Sequence, residues 1–284
     1  MIGIVGIGVT FVMVFGGYLL AGGKMSIIMK SLPFEFMMIG GAAAGAFLLS
    51  NDMSTVKHTL SDITKVFKGA KWSKQDYRDL LCLLYALIKI SRKSPVDLES
   101  HIEDPENSSV FELYPKILQD KEATSLICDT FRAGSLNYDD PHQVEEMLGK
   151  RIEEHAQNQS HSGHALQNVA DALPALGIVA AVLGVIKTMA SIDQPPEVLG
   201  GLIGGALVGT FLGVFLAYGI VGPFSAKVTA TTETEEKFYS VVRDVLVADL
   251  FGHSPNLCIE VGRQSVPSSY RPSFNEVEEG LNAA

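Results

Sequence analysis

Charge is nearly absent from four stretches of this chain, and they fall in two pairs divided by a long polar segment. Met1 to Gly23 has no charged side chain. Phe36 to Asn51 is a second apolar run, which can span a bilayer if Leu32 to Phe34 enter it too and Glu35 sits at the interface. Ala172 to Ile192 is uncharged except for Lys187, and Val198 to Ala226 is uncharged throughout. A helix needs roughly 20 apolar residues to cross a bilayer. The pattern therefore predicts an all-α integral membrane protein with four transmembrane helices in two hairpins plus a helical cytoplasmic domain. The expected boundaries are spans at 1–23, 33–51, 170–192 and 198–224. Short outer connectors fall at 24–32 and 193–197, a cytoplasmic domain at 52–169, and a cytoplasmic tail at 225–284.

The polar segment carries its own helical signals. Tyr77, Leu80, Leu81, Leu84, Leu87 and Ile90 recur at helical spacing within Lys74 to Lys93. Prolines punctuate shorter helices at Phe111–Leu113, Ile117–Phe131 and His142–His155, the last with Pro141 at its start and Asp140 as a cap. The tail offers an amphipathic helix over Thr232 to Leu250, then a Gly/Pro/Ser-rich end whose last residues are expected to be disordered. Basic residues just after the second span (Lys57, Lys65, Lys68, Lys71, Lys74 and Arg78) mark the cytoplasmic side. The connector Ser191 to Val198 has no Lys or Arg and should face outward. Both termini are then inside.

Composition sharpens this picture. The 284 residues are 47% hydrophobic and 19% charged, with a mean hydropathy of +0.22. That mixture fits spans plus a soluble part. The net charge of −10 argues against nucleic acid. Cys82, Cys128 and Cys258 lack metal or redox spacing, as expected in a reducing compartment.

The last hairpin is the most informative stretch. Gly201, Gly205, Gly209 and Gly213 recur every fourth residue, so on a helix they form one bare face where a second helix can approach closely. That face reads as a docking surface for a partner or a neighbouring subunit. Pro174 lies one turn into the third span, where it frees a carbonyl and permits a kink. Enzyme motifs are absent: there is no phosphate loop, no nucleophile elbow and no HExxH. No cofactor or metal is expected. His155, His161 and His164 read as exposed linker histidines, because no further ligands complete a set. No span carries a central Asp or Glu, and Lys187 reads as an interface anchor. Ion passage usually needs an interior ionisable group, so any titrating carboxylate is expected from another polypeptide. Thr210 is the hydroxyl placed deepest in the fourth span.

With these residues in view, the chain resembles the MotA/TolQ/ExbB family, in its flagellar stator branch. The resemblance rests on GGYLLAGG (Gly16–Gly23), LLYALIKISRK (Leu83–Lys93), IEDPENS (Ile102–Ser108), LPALGIVAAVLGVI (Leu173–Ile186), VGTFLGVFLAYGIVGP (Val208–Pro223) and SSYRPSF (Ser268–Phe274). It implies several copies, a pentamer, around a dimer of MotB, which supplies the transmembrane aspartate and a peptidoglycan anchor. It also implies torque on the rotor protein FliG through Arg92 and Glu99, and conformational coupling through Pro174 and Pro223. Threonine at both Ala181 and Thr210 marks sodium users; only Thr210 is present, which favours protons. Lys150-Arg151 stand where relatives often carry paired acids, so no role is carried over to them.

Two other readings remain open at this point. A TolQ- or ExbB-like energiser would have fewer spans. Reporter fusions at Met1, Ser26, Lys121 and Gln194 would separate it from a stator. A stand-alone transporter or channel would pass ions without a partner.

Overall fold

The computed structural model describes residues 2–135 and 140–283. Met1 and Ala284, expected to begin the first span and end the tail, lie outside them. All regular elements among the described residues are helical. The α-helices are, in order, α1 (Ile2–Leu20), α2 (Met25–Ser50), α3 (Met53–Asp62), α4 (Lys65–Lys68), α5 (Lys74–Lys93), α6 (Pro95–Glu103), α7 (Pro115–Leu118), α8 (Lys121–Ser135), α9 (Pro141–Met189), α10 (Pro196–Leu216), α11 (Gly222–Leu250), α12 (Pro255–Ser265) and α13 (Phe274–Ala283), with 3-10 turns at Pro105–Asn107 and Phe111–Leu113 between α6 and α7. A π-helical turn, Ala217–Val221, joins α10 to α11. Four helices are long and apolar enough to cross a membrane, by length and composition. The chain divides into two compact units, Met1–Gly69 with Gln159–Thr231, and Ala70–Asn158 with Thr232–Ala284.

The first unit contains the apolar hairpins. Inside lipid no water is available to backbone amides, so these segments must close their hydrogen bonds within a helix. Ile39 and Ala43 of α2 pack with Leu173 and Ala180 of α9 and Leu212 of α10. α1 is fixed by edge-on aromatic contacts, Phe11 to Phe215 at 5.2 Å and Phe15 to Phe211 at 5.9 Å between ring centroids. Asp52 caps α3 by accepting from the Thr55 amide. Val66 of α4 then packs with Leu166 and Val228.

Here the expected connector at 24–32 is corrected. α2 begins at Met25 and carries Pro33 in its interior. A proline removes one amide donor and crowds the carbonyl four residues back, yet membrane helices tolerate it where neighbours pack around it. The helix therefore starts two turns earlier, and Glu35 lies on its packed face, with only 5% of its surface exposed.

The second unit is a soluble-type helical core. Trp72 stacks on Phe238 with ring centroids 3.8 Å apart and planes 7° from parallel. Tyr77, Leu80, Leu81, Leu84 and Leu87 of α5 are fully buried around them. α5 starts in a capping box, in which the Ser73 and Asp76 side chains each accept from the other's backbone amide. Burial would raise the Asp76 carboxyl, but hydrogen bonds from Lys116 and Ser73 outweigh it and hold the group below the usual carboxylate range.

Two further expectations are corrected in this half of the chain. Past residue 250 the tail is ordered into α12 and α13, which both pack on α5. Ser254 caps α12 with Pro255 in its first turn. Ile259, Val266 and Val277 join the core. Likewise, the helix expected at His142–His155 does not end there. Asp140 accepts from the His142 amide at 3.0 Å, and α9 then runs unbroken to Met189.

Candidate functional site

The α9–α10 hairpin is held by glycines, and each close approach can be measured by what a side chain would strike. A Cβ on Gly177 would lie 2.8 Å from the Gly209 carbonyl oxygen, and one on Gly213 would lie 2.6 Å from the Leu173 oxygen. A Cβ on Gly184 would meet Ala206 Cβ at 2.6 Å. These distances are too short for any side chain, so the two backbones touch, as small-residue membrane interfaces do.

The same test corrects the docking surface expected along the fourth span. Gly205 faces Ser31, Gly209 faces Glu35 and Ala181, and Gly213 faces Leu173 and Gly177. Three of the four glycines are thus occupied by α2 and α9 of this same chain. Only Gly201 has nothing within 4 Å. It opens on a cavity of about 440 Å³ lined also by Glu35, Ser31, Lys30 and Lys187.

The prolines and hydroxyls sit as follows. Pro174 lies within α9, next to buried Leu173. Pro223 is the second residue of α11, directly after the π turn. Its ring cannot donate to the carbonyl four residues back, and the chain accommodates this by widening: the Gly222 amide bonds the Ala217 carbonyl, five residues away. The fourth helix therefore passes Pro223 and continues to Leu250. Thr210 is partly exposed on α10, and its hydroxyl makes no hydrogen bond among the described residues. Ala181 lies across from Gly209, its amide 3.2 Å from a Cβ placed there.

Arg92 and Glu99 lie in the second unit. Arg92 Nε donates to Asp249 Oδ1 at 3.1 Å, and Arg92 Nη2 also bonds Asp249 and the His253 carbonyl. Arg92 therefore ties α5 to the end of α11 while keeping 37% of its side chain exposed. Glu99 is exposed on α6 and lines an open groove with Asp249 and Arg132. Arg151 bridges α9 to α8 through Glu122 at 3.0 Å and Asp129 at 2.9 Å, a packing role. Lys150 pairs with Glu146.

His155 corrects the linker reading. It is half-buried against Tyr239 and lies 2.9 Å from Glu236 Oε1. Hydrogen bonding to Glu236 raises it above the usual histidine range, against the opposing effect of burial.

Comparison with known proteins decides the family. Residues 4–95 match the motility protein A N-terminal family, and residues 120–240 match the MotA/TolQ/ExbB proton channel family. Motility protein A of Salmonella typhimurium is 38% identical over 95% of this chain and 91% of its own length. The chain belongs to the motility protein A family. The Escherichia coli member is 37% identical over the same shares, and the chemotaxis protein LafT of Vibrio parahaemolyticus is 35% identical over 97% of this chain and 96% of its own. The fold matches the MotAB structure of C. jejuni with a TM-score of 0.73, covering 96% of this chain and 98% of that one at 20% identity. The Bacillus subtilis MotAB stator complex gives 0.68, covering 97% and 98% at 21% identity. The burial of Glu35 is what sequence reasoning missed. The available signal was Pro33, whose acceptance inside α2 lets the helix begin at Met25.

Proposed function

We propose that this chain is the stator subunit of a bacterial flagellar motor. With a MotB partner it forms an ion channel in the inner membrane and couples inward ion flow to torque on the rotor protein FliG. The observation that carries this is full-length similarity to motility protein A at 38% identity, joined to four helices long and apolar enough to span a membrane. The match over residues 4–95 to the motility protein A N-terminal family favours it over a TolQ- or ExbB-like energiser. Five copies around two of MotB, both termini inside, and protons as the coupling ion complete the reading. Thr210 without a second threonine at Ala181 supports the proton. Arg92 and Glu99 are the proposed rotor contacts, and their exposure supports that role. Pro174 and Pro223 are the proposed conformational elements.

Deletion of the gene tests the reading directly. Assembled but paralysed flagella are expected; normal motility would overturn it. Arg92→Glu should leave the protein inserted and flagella assembled while cells swim poorly. Asp249→Asn is the needed companion. It loosens the same internal tie without reversing a surface charge, so equal defects in both variants would assign Arg92 to packing.

A further inference from the structure

A groove of about 750 Å³ opens on the first unit where α1, α4 and the π turn meet. Part of its lining is bare backbone, from Gly3 and Gly6 of α1 and Gly219 of the turn. A Cβ placed on Gly6 would meet nothing within 4 Å. The rest is largely apolar: Ile7, and the Phe67 and Phe224 rings, set edge to face at 5.9 Å. Phe67 keeps 41% of its surface exposed there.

The charged groups of the groove are of one sign. Lys68 and Lys227 line it, and both are exposed. Neither forms an ion pair among the described residues, and no Asp or Glu is among the lining residues. The Thr10 hydroxyl is already donated to the Gly6 carbonyl at 3.0 Å. A metal cation finds no carboxylate here, and a wholly apolar ligand would leave two cations unused. What fits is an amphiphile with an anionic head. The position in the fold says which kind. α1 and the helical stretch from Pro196 to Leu250 are both long and apolar enough to cross a membrane. Val198 to Ala226 is uncharged, and Lys227 is the first charge beyond it. The groove therefore lies where hydrocarbon gives way to headgroups, the level at which lysines meet lipid phosphates. Its volume falls in the range of roughly 300–1,000 Å³ typical of small-molecule sites.

We propose that this groove seats one anionic phospholipid, its phosphate at Lys68 and Lys227 and an acyl chain along Gly3, Gly6 and Ile7. In the proposed topology the inner leaflet supplies it. The groove is also lined by Gly219 and Pro223, so the lipid lies against the widened turn of the fourth span and braces it.

The test uses the complex of this chain with its MotB-type partner, in nanodiscs of phosphatidylglycerol and phosphatidylcholine. Native mass spectrometry of the released complex should show phosphatidylglycerol retained in preference to phosphatidylcholine. Lys68→Gln and Lys227→Gln should each weaken that retention about five-fold, the worth of one lysine near an anionic lipid surface. Gly6→Leu, which fills the groove, should lower the retained count by one phosphatidylglycerol per copy of this chain while the complex melts like the parent. A phosphatidylglycerol with a photoreactive diazirine in its acyl chain should label the Ile7 peptide of the unaltered complex, an arm that depends on no variant. Excess inorganic phosphate should leave the count unchanged; its loss to phosphate alone would assign the lysines to a free anion. Equal retention of the two lipids, a count unmoved by Gly6→Leu, or no labelling of the Ile7 peptide would also overturn the proposal, leaving the stator reading intact. Motile cells after gene deletion would sink the stator reading without altering the lipid count.

Discussion

Gly213 and Gly201 stand twelve residues apart on α10, about 120° around its axis, and they meet opposite surroundings. A Cβ at Gly213 runs into the Leu173 carbonyl oxygen at 2.6 Å, which is backbone and cannot turn aside. Gly213→Ala should therefore destabilise the α9–α10 hairpin by about 1–3 kcal/mol, the usual range for overpacking. Gly201→Ala meets nothing within 4 Å and should melt like the parent. Thermal unfolding in detergent, followed by tryptophan-free probes such as helix ellipticity, compares the two. His155 gives a second prediction at this scale. Its pairing with Glu236 raises its folded value above the unfolded one. The stabilisation is then full below about pH 6.5 and is lost as pH rises through the raised folded value. Melting of the parent should fall across that window, and His155→Gln should flatten the fall. A parallel fall in both would show that His155 is not the group responsible. The repeat of glycines was legible in the sequence, but their occupants were not. Spacing shows which residues share a face; it carries no information about which helix covers that face. The start of α2 was missed for a related reason, because Pro33 reads as a helix boundary when only local chemistry is available.

The π turn ahead of Pro223 is the clearest case of an element shaped by one residue. Pro223 removes the donor that Gly219 would otherwise receive, and the Gly222 amide reaches back to Ala217 instead. Pro223→Ala restores that donor and should return residues 217–223 to α-helix, with the complex assembled and torque reduced. A structure of the variant that keeps the widened turn would assign it to packing around Gly219 and Thr10. Pro174→Ala should likewise preserve assembly and reduce torque or ion coupling, measured by the speed of tethered cells; loss of assembly would make that proline architectural. The long apolar helices and α5 were legible because their periodicity is sustained over many residues. The ends of helices were not. α9 crosses the point where its composition changes from polar to apolar, since nothing at that junction breaks a helix. α12 and α13 are short, and their apolar residues are spaced by a proline-rich link that reads as disorder until α5 is there to receive them.

At the scale of the molecule, each unit has its own source of stability. Trp72 stacked on Phe238 anchors the second unit, and Lys71 lies over the same indole at 4.7 Å. Trp72→Ala should cost about 3–5 kcal/mol, as large-to-small core changes do. The first unit should keep its helical content while the second loses protection, which hydrogen exchange can read separately for each. The division into membrane hairpins and a polar helical part was legible from charge alone, and the family from motifs spread along most of the chain. A different consequence follows from the turn at Ala217–Val221. A π turn is an α-helix with one residue to spare. If the spare residue were drawn in, the stretch from Phe224 onward would rotate by about 100° around the helix axis. Phe224 would leave the face of Phe67, and Ser225 would release the Gly163 carbonyl. The helix can thus change which side it presents by absorbing a single residue of slack, with no bend and no break.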